Sequence, residues 1–180
     1  MGAMASAIGA SWIAGAWGHP FAGPLRPPPA ADLLARVLSP EQTRDLEALT
    51  ALIIPTDDAP GAREARTVDF ITRGLSSFAA DQHALFEQGL ADLNGRAAAQ
   101  HPGKRFADIG ADAQHAMALE LESERSQFFE AVRVATIAGF LANPEYGGNA
   151  AKAGWRLIGF EDRFGWQPPF GYYDRDSQPE

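Results

Sequence analysis

The chain has 180 residues, of which 46% are hydrophobic and 21% are charged, and its formal net charge is −8. These values are those of one ordinary globular domain with residues to spare for tails. The acidic balance argues against nucleic acid and anionic lipid as partners, because both need a basic face. The absence of cysteine excludes disulfides, thiol catalysis, iron–sulfur clusters and covalently attached haem.

Residues 1–18, MGAMASAIGASWIAGAWG, form an apolar stretch rich in small residues, and the first basic residue of the chain is Arg26. The stretch is too short and too rich in glycine and alanine to span a bilayer well. It looks like the hydrophobic part of a secretory signal, with Ala14-Gly15-Ala16 as a candidate cleavage site. We expect the remnant of an export signal whose basic, twin-arginine part lies upstream. The alternative is a disordered N-terminal extension.

A proline-rich linker is predicted over residues 19–38, because five prolines in HPFAGPLRPPPAA exclude a regular helix. A helical domain is predicted over residues 39–160. Ser39 can cap its first helix, Pro40 suits the first helical position, and Gln42 completes a capping box. The sequence therefore places the start of the folded domain at Ser39.

Apolar residues at three-to-four-residue spacing predict five helices, the first ending at Pro55 and the fifth at Asn143-Pro144. A short sixth helix is predicted from Ala150 to Leu157, with Asn149 as its cap. No stretch shows the period-two alternation of a strand. The predicted class is therefore all-α, a compact bundle of about five helices plus a short C-terminal helix. The inward-facing residues are, helix by helix, Leu46, Leu49, Leu52 and Ile53; Val68, Ile71, Leu75 and Phe78; Leu85, Phe86, Leu90 and Leu93; Ala113, Met117 and Leu121; and Phe128, Phe129, Val132, Thr136 and Phe140.

Residues 161–180 are predicted to form an irregular, aromatic-rich tail. From Phe160 to Tyr173 six aromatic residues are interleaved with glycine and proline, namely Phe160, Phe164, Trp166, Phe170, Tyr172 and Tyr173. This stretch is too broken to build a core of its own. It either wraps back over the helices or docks on another molecule.

Signals of catalysis are sparse. The histidines are scattered without metal-ligand spacing, and neither a G-x-S-x-G elbow nor a glycine-rich nucleotide loop is present. Asp57 and Asp58 are the best acidic pair. They predict either capping at the start of the next helix or, together with Glu145, the acid–base groups of a free-standing helical hydrolase.

The most specific segment is NPEYGGNAAKAGWRLIGF, residues 143–160. Gly147 and Gly148 permit a positive φ angle or a close backbone approach, so they predict a sharp turn that leaves Tyr146 at the bend. Trp155 follows two helical turns later. Rigid aromatic residues on such a turn either close the core or anchor a partner.

Two segments read together resemble the gluconate 2-dehydrogenase subunit 3 family. They are ALIIPTDDAPGAREARTVDFI, residues 51–71, and FFEAVRVATIAGFLANPEYGGNAAKAGWRLIGF, residues 128–160. The resemblance covers about residues 40–160. It departs at Glu161-Asp162, where a smaller and less charged turn is expected, and it does not include the tail beyond residue 164.

The resemblance implies a non-catalytic small subunit without a cofactor of its own. Its partner would be a large subunit similar to glucose–methanol–choline oxidoreductases, which carries FAD, oxidises a sugar or sugar acid and passes electrons to a cytochrome c subunit. The small subunit would support assembly and export of the complex to the periplasm by the twin-arginine route, with membrane association through other subunits and no membrane span in this chain. A periplasmic scaffold module with an unrelated partner is a third alternative. The partner-binding residues expected from the resemblance are Pro55, Thr56, Asp57, Asp58, Tyr146, Gly147, Gly148, Asn149, Trp155 and Phe160.

Overall fold

The computed structural model describes residues 37–163 and residue 165. Six α-helices and no strand occur in this part of the chain. The predicted all-α class is therefore confirmed, with five helices and a short sixth one. The helices are α1 (Pro40–Ile53), α2 (Thr67–Leu75), α3 (His83–Gln100), α4 (Ala111–Ser123), α5 (Gln127–Leu141) and α6 (Ala153–Leu157), and short 3-10 turns lie at Ala80–Gln82, Phe106–Asp108, Pro144–Tyr146 and Ala150–Lys152.

The predicted terminal segments fall almost wholly outside the described residues. This applies to the signal-like stretch 1–18, to all but the last two residues of the linker 19–38, and to the tail aromatics beyond Phe160. Leu38, at the end of the predicted linker, is nevertheless buried in the core. The ring Nε2 of His83 lies 2.7 Å from the carbonyl oxygen of Val37. The packed body thus includes these two residues ahead of Ser39.

Helix α1 begins with the capping box that the sequence predicts. The Ser39 hydroxyl accepts a hydrogen bond from the Gln42 amide at 3.2 Å, and the Gln42 side chain accepts one from the Ser39 amide at 2.8 Å. The helix ends at Ile53, and Ile54 adopts a non-helical conformation (φ −127°, ψ 87°), as expected for the residue before a proline.

Helix α5 is the centre of the bundle, since it packs against each of the other five helices. All five residues predicted to face inwards on it are buried. Ser126 caps its start by accepting a hydrogen bond from the Phe129 amide at 3.4 Å. Alanines and a glycine on its surface let neighbouring helices approach closely, and the buried ones are Ala131, Ala135, Ala138 and Gly139.

One predicted detail of the helices is wrong. Helix α2 ends at Leu75, so Phe78 lies beyond the helix and is 40% exposed. The hydroxyls of Ser76 and Ser77 both donate to the Arg73 carbonyl, at 2.8 and 2.6 Å, and this local bonding competes with further helical turns. Helix α3 then begins at His83, directly after the 3-10 turn Ala80–Gln82.

A buried carboxylate fastens the loop between α3 and α4 to the bundle. Asp45 of α1 is fully buried and accepts hydrogen bonds from Arg105 Nε at 3.0 Å, Asn94 Nδ2 at 2.8 Å and the Ala107 amide at 3.0 Å. The side-chain Oδ1 of Asn94 accepts a further bond from the Phe106 amide at 3.0 Å. We call these residues and the loop 101–109 the Asp45 region. The Asp45 carboxylate is buried but paired, which is the condition under which burying a charged group is tolerated.

Candidate partner-binding surface

The two segments singled out in the sequence, residues 51–71 and 128–160, contact each other in the structure. The Ala150 amide donates a hydrogen bond to the Ala65 carbonyl at 3.0 Å, which joins the loop before α2 to the chain after α5. Ala65 also packs with Phe140 and Ala153 in a small apolar cluster that is separate from the main core. Segments about 80 residues apart in sequence therefore form one surface.

The loop between α1 and α2 is closed by hydrogen bonds. The Ala62 amide donates to the Ile54 carbonyl at 2.8 Å. Glu64 accepts bonds from the Thr56 hydroxyl at 2.7 Å and from the Gly61 amide at 2.9 Å. The bond from Thr56 is the main cause that holds the pKa of Glu64 below its ordinary value of 4.5. The predicted contact residues Pro55, Thr56, Asp57 and Asp58 are all exposed on this loop.

The predicted capping of α2 by the aspartate pair is wrong. The residue at the start of α2 is Arg66, in the left-handed conformation, and no side chain caps it. Asp57 instead accepts a bond from the Ala59 amide at 2.9 Å within its own turn. Asp57, Asp58 and Glu145 are all exposed. The arrangement gives a hydrolase no desolvated carboxyl to serve as a general acid.

The predicted glycine turn is present, and its two glycines serve different purposes. Gly147 has a φ angle of +107°, which only glycine adopts without strain. Gly148 is buried so closely against α5 that a Cβ atom there would lie 2.2 Å from the Gly139 carbonyl oxygen. Tyr146 is half-buried and packs on the main core. These residues shape the surface, and their contact with a partner stays a prediction.

Asn149 is fully buried and bridges two chain segments. Its Nδ2 donates to the Ala142 carbonyl at 2.9 Å, and its Oδ1 accepts from the Gly154 amide at 2.8 Å. The side chain therefore caps α6, while the single helix predicted from Ala150 to Leu157 is broken. Ala151 and Lys152 adopt left-handed conformations with φ angles of 53° and 57°. This backbone, strained for non-glycine residues, replaces the first turn of the predicted helix and accompanies the contact of Ala150 with Ala65.

Trp155 is buried, and its indole N–H is hydrogen-bonded. It is 8% exposed, and its Nε1 donates to the Leu141 carbonyl at 2.8 Å. Its ring centroid lies 5.0 Å from that of Phe160, and Lys152 Nζ lies 5.6 Å from the Trp155 ring centroid. Trp155 thus supports the surface from beneath.

The end of α6 is locked by a Schellman motif. The Phe160 amide donates to the Trp155 carbonyl at 2.8 Å, and the Gly159 amide donates to the Arg156 carbonyl at 3.2 Å. An ion pair of 2.9 Å between Lys152 Nζ and Asp162 then draws the following residues back along the helix. The Schellman motif thus defines the backbone from Trp155 to Phe160.

This locked segment exposes three large apolar side chains. Leu157 is 56% exposed, Ile158 60% and Phe160 39%, and we call these three residues the apolar ridge. Sequence reasoning named Phe160 and missed the other two.

Other kinds of site are not found in the described residues. No group of three or more histidine, aspartate or glutamate side chains there could hold a metal ion. No helix within residues 37–163 is long and apolar enough to cross a membrane. The specific segments of this domain thus define a shaped surface with an apolar ridge.

The fold and this surface define a small all-α protein whose most specific residues are structural rather than acid–base groups. In a comparison with protein-family models, residues 40–162 match the family Gluconate 2-dehydrogenase subunit 3. The match covers well over half of the chain, so the chain belongs to this family, and the resemblance seen in the sequence is confirmed. The family name makes it a subunit of an oxidoreductase complex. Comparisons with curated proteins and with solved structures gave no match.

Proposed function

We propose that the chain is a non-catalytic small subunit of a flavin-dependent sugar or sugar-acid dehydrogenase. It binds the FAD-carrying large subunit, of glucose–methanol–choline type, through the apolar ridge and the exposed loop residues 55–58. The observation that carries this proposal is the ridge itself, which exposes two of its three side chains by more than half at the end of the family match. Clustered apolar exposure of this kind is a feature of interaction sites.

The energetics of the ridge suit a docking site. Burying the exposed parts of Leu157 and Ile158 would contribute about 1 kcal/mol each, as scaled from full burial of such side chains. Because the Schellman motif already orders the backbone at the end of α6, less conformational entropy would be lost on binding. Trp155 beneath the ridge supplies the rigid support that an energetically important contact requires.

Catalysis and cofactor binding then belong to the large subunit. The exposed positions of Asp57, Asp58 and Glu145 support this division, because none is desolvated for acid–base work. A cytochrome c subunit would accept the electrons. Family membership and the signal-like sequence of residues 1–18 support a role in assembly and in twin-arginine export of the complex to the periplasm, with membrane association through other subunits.

The test is co-expression of the tagged chain with a large chain that is encoded beside it and carries a G-x-G-x-x-G motif after its first strand. Pull-down should recover a yellow, FAD-containing partner. The double variant Leu157→Ser/Ile158→Ser should recover at least about tenfold less flavin, because burying the two side chains contributes about 2 kcal/mol together.

The matched control is Leu119→Ser/Ile137→Ser, which removes two other apolar side chains that are 50% and 40% exposed and lie on α4 and α5. It should retain the partner, and circular dichroism should show both variants folded. Equal recovery by the ridge variant and the control would refute the ridge as the docking site. Sugar oxidation by the isolated 180-residue chain would refute the proposed division of labour.

A further inference from the structure

The C-terminal end of α5 presents carbonyl groups that the helix itself leaves unbonded. The last four carbonyls of an α-helix have no intrahelical amide partner, and burying them without other contacts is costly. In α5 these are the carbonyls of residues 139–142, since the helix ends at Leu141 and Ala142 is extended (φ −60°, ψ 162°). Phe140 and Ala142 are both buried, so this helix end lies inside the protein.

Two buried side chains bond to two of these carbonyls. Asn149 Nδ2 donates to the Ala142 carbonyl at 2.9 Å, and Trp155 Nε1 donates to the Leu141 carbonyl at 2.8 Å. Both donors come from the segment that leads into the apolar ridge. This segment is therefore attached to α5 by side-chain hydrogen bonds.

Two glycines of the same segment lie against the other two carbonyls. A Cβ atom at Gly148 would lie 2.2 Å from the Gly139 oxygen, and a Cβ atom at Gly154 would lie 2.0 Å from the Phe140 oxygen. Such close approach of the backbone requires glycine. Four consecutive carbonyls of α5 are thus each covered by one residue of the segment 148–155.

Helix α6 depends on this attachment for its own structure. It has five residues, whereas isolated helices shorter than about 12 residues are marginal in water. Ala151 and Lys152, at its start, have left-handed backbone that is unfavourable for residues with a Cβ atom. Local preferences therefore do not favour α6, and its contacts with α5 hold it in place.

We infer that Asn149 and Trp155 are positioning residues: their hydrogen bonds dock α6 and the apolar ridge on the end of α5 as one unit. When a donor is lost, this unit detaches more readily while the bundle stays folded. The detachment is a property of this chain alone. Only its effect on the large subunit rests on the proposed function.

Amide hydrogen exchange, followed by NMR on the full-length chain, measures the detachment. Asn149→Asp keeps the acceptor for the Gly154 amide but replaces the donor to Ala142 by a carboxylate in a buried site. The Phe160 amide, which bonds within the end of α6, should exchange at least about 100-fold faster, because detachment returns this carboxylate to water. The amide of buried Val132 in α5 should change by less than about twofold.

A second variant and a control sharpen the measurement. Trp155→Phe keeps an aromatic ring but removes the donor to Leu141, so the Phe160 amide should exchange at least about threefold faster. Asn143→Asp is the matched control, because this exposed side chain accepts a bond from the Glu145 amide at 3.1 Å and aspartate keeps that acceptor. It should leave the exchange of α6 unchanged.

Equal acceleration in α5 and α6 would overturn the inference, because the two donors would then serve the stability of the whole fold. Unchanged exchange of α6 in Trp155→Phe would overturn it as well. So would an Asn149→Asp chain that does not fold, because α6 would then not be separable from the bundle.

The effect on the partner is measured by pull-down of the large subunit. A partner binds the molecules whose site is in place, so Asn149→Asp, with α6 detached in most molecules, should recover at least about threefold less flavin than Asn143→Asp. Equal recovery with α6 detached would contradict positioning for the partner. If Leu157→Ser/Ile158→Ser also retains all flavin, the proposed function fails, while the exchange rates still decide whether α6 is a separate unit.

Discussion

The Asp45 region and the ridge region, residues 149–160, differ in whether their energetically unfavourable groups are compensated by contacts. In the Asp45 region a buried carboxylate is matched by hydrogen bonds to the loop 101–109, and Phe106 and Ile109 of this loop lie in the core. The ridge region has left-handed non-glycine residues and exposed apolar side chains. The contrast indicates that the first region serves folding, whereas the second retains features that an isolated domain does not need.

The largest effect is expected from breaking the Asp45 region. Asp45→Ala removes the acceptor of Arg105 and of the Ala107 amide, and one of the two acceptors of Asn94 Nδ2. We expect a loss of about 3 kcal/mol in the free energy of unfolding, measured by urea denaturation. The control Arg44→Ala breaks the exposed ion pair with Asp108 and should cost at most about 0.5 kcal/mol. Equal losses of stability in the two variants would show that the hydrogen bonds of Asp45 stabilise the fold no more than an exposed ion pair does.

A smaller loss is expected from Gly148→Ala in the turn that supports the ridge. The added Cβ would lie 2.2 Å from the Gly139 carbonyl oxygen, so the backbone must shift, at a cost of about 2 kcal/mol. Gly95→Ala is the control, because its Cβ would meet no atom within 4 Å and the site is an exposed position in α3. This control should raise stability by about 0.5–1 kcal/mol. A tolerated Gly148→Ala would contradict the close approach.

Relieving the backbone strain in the ridge region should be measurable as a gain in stability. Ala151→Gly, at a φ angle of 53°, should increase stability by about 0.5–1 kcal/mol, because glycine adopts this conformation without steric conflict. Ala98→Gly in the regular part of α3 should instead lower stability by about the same amount. Thermal unfolding of both variants gives the comparison, and a loss of stability in both would argue against a left-handed residue 151.

The smallest effect concerns the loop between α1 and α2. NMR titration should place the pKa of Glu64 below 4.5, and Thr56→Val should move it back towards that value by removing the main cause of the shift. Since the folded-state pKa is lowered, the associated stabilisation is present above pH 4.5 and is lost as the pH falls through the folded-state value. The pKa of Glu130, lowered by Arg133, is the internal control and should not move. A pKa of Glu64 that is not lowered would show that the Thr56–Glu64 hydrogen bond across this loop is not formed.

Local signals made much of the fold predictable. The capping box at Ser39, the stop at Pro55 and the apolar face of α5 all depend on residues a few positions apart. The break at Ala151 was not predictable in this way, because it accompanies a hydrogen bond between Ala150 and Ala65. The apolar stripe of α1 likewise did not reveal that Asp45 would be buried, since its partners lie 49 to 62 residues away.

The candidate site was only partly predictable for a related reason. Gly147 and Gly148 have a conformational meaning that can be read from the sequence. The exposure of Leu157 and Ile158 depends on what packs above α6, and an apolar residue in a sequence predicts burial by default.

The affinity of the large subunit for two single variants tests the central comparison most directly. Ile158→Asp places a charge on the ridge, whereas Pro102→Asp places the same charge on an exposed position of the Asp45 region. We predict that Ile158→Asp raises the Kd by at least about 30-fold and that Pro102→Asp changes it by less than about threefold. The reverse order, with the ridge insensitive and residue 102 sensitive, would contradict the account.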